Sequence, residues 1–190
     1  KPNENFVLSG ESLKTVLLML QDGATGVTQR ELSQALCGRS QLCQMPVLPH
    51  QESYQAANAM WVKKGLVVNA DYQKNIQTVY QGKVESVDFQ KEKSNAVKKI
   101  NTWTKENTGG MIPEILNEKD VDGSTALVLT NALYFQGFWP TEFDSQKTVD
   151  RPFNLLNGEA IEVPTMVKND HYFTAKNNAM QMVGLTYRDS

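Results

Sequence analysis

The sequence predicts a mixed α+β fold, and three observations carry the prediction. Apolar residues recur at helical spacing in several segments that begin and end on capping or breaking residues. The segment TALVLTNALYF, residues 125–135, is almost continuously apolar, as in a strand buried on both faces of a sheet. Short β-like runs separated by turn residues fill the stretch 148–187. Helices with a large sheet come first and mostly strands follow, which is the order of an α+β chain.

The first helix is capped by Ser9, and Leu13, Val16, Leu17 and Leu20 fall at helical spacing. Leu18 and Met19 widen the apolar arc, so burial on most sides is expected. Asp22-Gly23 ends it, with Gly23 suited to a left-handed C′ position. Thr28 to Glu31 reads as a capping box opening a second helix, which buries Leu32, Ala35 and Leu36 and stops at Gly38. Residues 39–55 lack periodicity, contain Pro46 and Pro49, and read as loop. A strand at 56–62 turns at Lys63-Lys64-Gly65. A third helix at 69–81 has Tyr72, Ile76, Val79 and Tyr80 on one face, with Gly82 after it. A short strand follows at 83–89. The helix at 94–107 turns Val97, Ile100 and Thr104 inward and carries Lys98, Lys99 and Lys105 outward, before Thr108-Gly109-Gly110 breaks it. Asn131 is a lone amide in the apolar strand at 125–135. Turns are expected at Asn157-Gly158 and Asn177-Asn178.

The chain has 190 residues and a formal charge of −2, with 40% hydrophobic and 21% charged content. That length supports one sizeable core, and on length alone one complete domain. The near-neutral charge removes a broad electrostatic drive toward nucleic acid or an anionic membrane. No apolar stretch approaches the roughly 20 residues of a membrane-spanning helix. The chain opens at Lys1-Pro2-Asn3, without Met or signal sequence, and reads as part of a longer precursor. Cys37 and Cys43 lack the second pair or spaced histidines of a zinc site, and are expected to be free thiols, with a local disulfide as the alternative. No metal, cofactor or catalytic residue is predicted. Gly10-Glu11-Ser12 fails as a nucleophile elbow, Gly23 to Gly26 lacks the lysine of a phosphate loop, and His50 and His171 stand apart from any ligand cluster. Glu114 and Glu118 imply no apolar pocket.

Several segments together resemble the serpin family, the large serine-protease inhibitors. Asn5 to Leu13 is similar to N-x-V-x-S-P-x-S-[IL], with Gly10 in place of the proline. Gly23 to Thr28 matches G-A-x-G-x-T. Ile100 to Ile112 matches I-N-x-W-[VT]-x-x-x-T-x-G-x-I. Leu127 to Phe143 matches L-V-L-[VT]-N-A-[IL]-Y-F-x-G-x-W-x-x-x-F, and Thr148 and Phe153 follow at family spacing. Val183 to Tyr187 resembles V-x-L-P-Y, with Thr186 where proline is usual. The motifs occur in family order over nearly the whole chain.

The resemblance implies a serpin fold of helices and sheets A, B and C, incomplete in this chain. Residues 1–190 would be a partial single domain lacking the first helix and the C-terminal half with the reactive loop. The strands at 56–62, 83–89 and 125–135 would be neighbours in sheet A, the helix at 94–107 would lie across it, and 148–187 would belong to sheets C and B. Ser9, Ser12 and Asn131 match the family's shutter beneath sheet A, and Trp139 matches the breach tryptophan. Gly26, Thr28, Thr108, Gly110, Phe135 and Gly137 match structural positions at turns and strand ends. The implied activity is serine-protease inhibition as a suicide substrate, the cleaved loop inserting into sheet A. A non-inhibitory carrier, chaperone or storage role is the alternative. The implied partners are a chymotrypsin-fold serine protease and the remaining half of the fold. The stretch 39–55 offers only Arg39 and His50 as basic groups, so no glycosaminoglycan site is expected there. A secreted location is favoured over a cytoplasmic one.

Overall fold

The computed structural model describes residues 8–38, 42–44 and 54–188. They form two compact units, residues 9–135 and a second built mainly from 136–188.

The first unit is a three-stranded sheet with helices on both faces. Strand β1 (Tyr54–Lys63) is central, flanked by β2 (Lys83–Val87) in parallel and β3 (Leu127–Phe135) antiparallel. The three strands expected in one sheet are therefore neighbours. The strand buried on both faces is β1, whereas β3 is mostly half-buried. This departs from the expectation of a fully buried 125–135 strand. The reason is position: β3 is the last strand on its side of the sheet among the described residues.

Alternation along β1 divides the core in two. Ala59 and Trp61 face helix α4 (Lys93–Asn107) and pack with Val87, Phe89, Ala96, Val97 and Ile100. Met60 and Val62 face the other way, onto Leu18 and Met19 of helix α1 (Gly10–Gly23) and Ile76 of helix α3 (Ala70–Thr78). Trp61 is fully buried, meets Trp103 of α4 edge to face at 5.8 Å, and donates its indole N–H to Thr130 Oγ1 at 3.0 Å. Full burial of side chains such as Met60 or Ile76 stabilises by about 1.5–3 kcal/mol each.

The helices correct several expectations. In α1 the buried residues are Thr15, Leu18, Met19 and Gln21, while Leu13 and Leu20 stay exposed. Both arcs are apolar, so periodicity could not decide which one faces the sheet. Gly23 ends α1, but not in a left-handed conformation. Its lack of a side chain serves a close approach, since a Cβ there would lie 2.6 Å from the Tyr72 ring. Helix α2 (Gly26–Cys37) is capped by Thr25, with no side-chain cap bond. Thr28 therefore lies inside α2, not in a capping box, because the turn after α1 is too short to delay the helix to residue 28. Ser33 is the buried residue of α2, and Gly38 ends the helix as expected with φ 65°. In α3, Ile76 is buried but Val79 is exposed, because the helix stops at Thr78.

Cys37 and Cys43 are joined in a disulfide, which corrects the expectation of free thiols. The two cysteines are six positions apart, and that spacing alone left the local disulfide as the alternative. Their Cα atoms lie 6.1 Å apart, within bridging range. Most of the stretch 39–55, with Arg39 and His50, lies outside the described residues.

The second unit holds two antiparallel hairpins. One pairs β4 (Val149–Asn154) with β5 (Ala160–Thr165) across the expected turn at Gly158, and the other pairs β6 (Phe173–Lys176) with β7 (Gln181–Gly184) across Asn177-Asn178. Among the described residues no helix is long and apolar enough to cross a membrane.

Candidate functional site

The polar groups on the α1 side of the sheet form one connected circuit. Ser9 caps α1, its Oγ accepting from the Ser12 N–H at 3.1 Å. Ser12 Oγ donates to Asn131 Oδ1 of β3. Asn131 Nδ2 donates to Asn58 Oδ1 of β1 at 2.7 Å, and these two residues lie directly opposite in the strand register. Asn58 Nδ2 donates to Tyr80 O at 2.8 Å. Tyr80 Oη donates to Asp22 Oδ2 at 2.7 Å, and the same oxygen accepts from Asn75 Nδ2 at 2.8 Å. Asp22 lies at the far end of α1. The circuit thus starts at one end of that helix, crosses the β3–β1 seam, and returns to its other end.

Burial gives the circuit its weight. Asn58 and Tyr80 are about 5% exposed or less. A buried amide left without partners costs roughly 1–3 kcal/mol, so each member constrains the next. Burial first, then the hydrogen bond to Asp22, raises the Tyr80 phenol well above its ordinary range. Burial and the Asp22 charge push Tyr72 up to about 12. Both phenols stay protonated at physiological pH, and the Tyr80 hydroxyl remains a donor. Tyr72 Oη donates to Met19 O at 2.9 Å, fastening α3 to α1.

The structure therefore brings Ser9, Ser12 and Asn131 together. Sequence reasoning missed Asn58, although the pattern held a signal: an amide among Ala, Met, Trp and Val in a strand. It also missed Tyr80 and Asp22, whose meeting depends on the packing of α3 against α1.

On the opposite face, α4 is fastened at several points. Asn101 accepts from the Ile115 and Leu116 N–H groups at 2.9 and 3.1 Å and donates to Leu116 O at 2.8 Å. Lys99 pairs with Glu85 of β2, which also pairs with Lys83 at 2.6 Å. Burial disfavours the Glu85 charge, but the two ammoniums outweigh it and hold its carboxyl below the ordinary range. Thr108, buried after α4, donates to Thr104 O at 2.9 Å and accepts from the Ile112 N–H at 3.1 Å. Gly110 follows at φ 83°.

The remaining predicted residues are separate from the circuit. Gly26 opens α2 at φ 64°, and Thr28 is exposed within that helix. Phe135 ends β3 and is half-exposed. In the second unit, Trp139 stacks on Tyr187 at 4.8 Å and meets Phe143 edge on at 5.5 Å. A side chain at Gly137 would lie 2.3 Å from the Tyr187 ring, so only glycine fits there. A cavity of about 180 Å³ lies beside Trp139, lined in part by Lys168, His171 and Tyr172. No group of three or more potential metal ligands occurs among the described residues.

Helices on both faces of a β2-β1-β3 sheet accord with the fold that the motifs imply. A sequence model of the family described as Serpin (serine protease inhibitor) matches residues 1–190. The chain belongs to the serpin family. Serpin-Z7 of Hordeum vulgare is 30% identical over 97% of this chain and 50% of its own length. The chain spans about half the length of the curated relatives it matches. Among solved structures, a cleaved Serpin 42Da covers the whole chain with a TM-score of 0.87 at 25% identity, over 54% of its own length. Thyroxine-binding globulin in complex with thyroxine shares the fold, with a TM-score of 0.79 at 23% identity over 99% of this chain and 55% of its own. Serpins are generally protease inhibitors, with non-inhibitory carriers among them, and are generally not enzymes.

Proposed function

We propose that this chain is the N-terminal portion of an inhibitory serpin that traps a chymotrypsin-fold serine protease as a suicide substrate. The observation that carries the reading is the lock at the β3–β1 seam. Ser12, Asn131 and Asn58 anchor β3, the edge strand among the described residues, to α1 and to its paired neighbour β1. A sheet that must accept a further strand beside β3 needs that edge strand held in place from beneath while its outer side stays able to pair. Ser9, Ser12 and Asn131 would be the shutter, and Trp139 would mark the point of loop entry. None would act chemically on the protease. The strand that inserts would come from the complementary C-terminal half of the fold.

The disulfide supports the companion proposal of a secreted protein, since such bridges persist in oxidising compartments. The test is incubation of the intact protein with trypsin-like and chymotrypsin-like proteases. An SDS-resistant complex is expected, together with a cleaved form that melts well above the native one. If no complex forms and cleavage leaves the melting temperature unchanged, the inhibitory reading fails and a carrier role takes its place.

A further inference from the structure

The Cys37–Cys43 bridge adjoins the polar circuit under the sheet. Cys37 is the last residue of α2 and is exposed, whereas Cys43 is buried among Leu18, Met19, Met60 and Ile76. The backbone of Cys43 is gripped by one side chain. Gln21, fully buried in α1, donates from Nε2 to Cys43 O at 3.2 Å and accepts from Cys43 N at 3.4 Å. Ser33 Oγ of α2, also buried, donates to the same Gln21 Oε1 at 3.1 Å. The next residue of α1 is Asp22, which anchors Tyr80 and through it Asn58 and Asn131. The bridge, the Gln21 grip and the lock at the β3–β1 seam are therefore contiguous.

We propose that the Cys37–Cys43 bridge is a redox-sensitive clasp that sets how firmly the α1 face of the sheet is closed. The reductant is a dithiol. Its thiolate attacks the sulfur of Cys37, an exposed residue at the end of α2, the S–S bond breaks, and Cys43 leaves as a thiolate that takes up a proton. The second thiol of the reagent then attacks the mixed disulfide and releases Cys37. Two electrons pass to the protein, two cysteine thiols form, and the reagent becomes a cyclic disulfide. Once free, Cys43 is held by the Gln21 grip and by its packing among the apolar side chains, without a covalent tether to α2. Its departure leaves the Gln21 amide buried without those partners and opens the apolar layer beneath Met60. In a reducing compartment the loose form prevails; in an oxidising one the closed form does.

Any consequence for protease trapping rests on the inhibitor reading above, but the clasp itself does not. The test therefore reads thiols, melting and amide exchange in the intact protein. Maleimide labelling with mass spectrometry is expected to find Cys37 and Cys43 unreactive before treatment with dithiothreitol and both reactive after it. Reduction is expected to lower the melting temperature of the intact protein by a few degrees, the scale for a short bridged loop in a large domain. Amide exchange at residues 58–62 and 127–131 is expected to rise at least about ten-fold, the direction of local opening. Reoxidation is expected to restore both. The double variant Cys37→Ala/Cys43→Ala is expected to behave as the reduced protein and to ignore the reductant; if it does not fold, the reduction and reoxidation series decides alone. Thiols that label before reduction, or complete reduction without a change in melting and exchange, would overturn the proposal. A protein that shows the redox shift but traps no protease keeps the clasp and loses the inhibitor reading. One that traps protease equally well in both states, with unchanged melting and exchange, does the reverse.

Discussion

Asn131 divides its amide between two elements, accepting from Ser12 of α1 and donating to Asn58 of β1. Its side chain therefore ties a helix to a strand pair, which an apolar residue of similar size could not do. Replacing it with Ala removes the acceptor for Ser12 and the donor to Asn58. The expected cost is about 1–3 kcal/mol, seen by calorimetry as a lower melting point and, in the intact serpin, a lower temperature of polymerisation or latency conversion. An unchanged profile would remove Asn131 from the proposed shutter. Asn58→Ala should behave similarly, and the double variant should cost less than the sum, with a coupling of about 0.5–3 kcal/mol in the cycle. Additivity would mean that the two amides do not act as a pair. Asn131 was legible in the sequence as a polar residue in an apolar strand. Asn58 lies in the same kind of setting, but its partner depends on strand register, which no local pattern reveals.

Helix α4 is held against the sheet by apolar packing and by the Lys99–Glu85–Lys83 group at its side. The depressed Glu85 carboxyl makes this fastening pH-dependent. Its contribution is complete above the ordinary glutamate value of 4.5 and is lost as pH falls through the lower folded value. Amide exchange in α4 is therefore expected to accelerate on acidification below that range, more than in α1. Glu85→Gln should flatten the dependence; an acid response that persists in this variant would assign it elsewhere. The effect is modest, because Lys83 and Lys99 are each about half exposed, at 48% and 51%. The existence and inward face of α4 were readable from Val97, Ile100 and Thr104. Its attachment to β2 was not, because the lysines read as a solvated face and only tertiary packing brings Glu85 beneath them.

At the scale of the whole chain, much apolar surface stays uncovered. Leu13 and Leu20 of α1 are 52% and 42% exposed, and Phe153 and Phe173 on the hairpins are 57% and 82% exposed. Strand β3 closes its side of the sheet among the described residues, and such an edge is a template for strand addition. The 190-residue polypeptide by itself is expected to self-associate and to melt without a single sharp transition. Addition of the complementary half of the fold should restore a cooperative monomer. Sedimentation and calorimetry check this, and a monomeric, cooperatively melting isolated chain would show that the first unit's two core clusters suffice.

By itself the sequence determined the element order, the α+β class, the family motifs and, as a lone amide in an apolar strand, Asn131, because these are written in local periodicity, turn chemistry and spacing. Only the tertiary structure decided which strand is central, which apolar arc of α1 is buried, that α2 begins at Gly26, and that Cys37 meets Cys43. Each of these compares interactions that are equal locally and differ only in what packs against them. The polar circuit from Ser12 to Asp22 is of the same kind: its members are distant in sequence, and burial beneath the sheet turns their proximity into a lock.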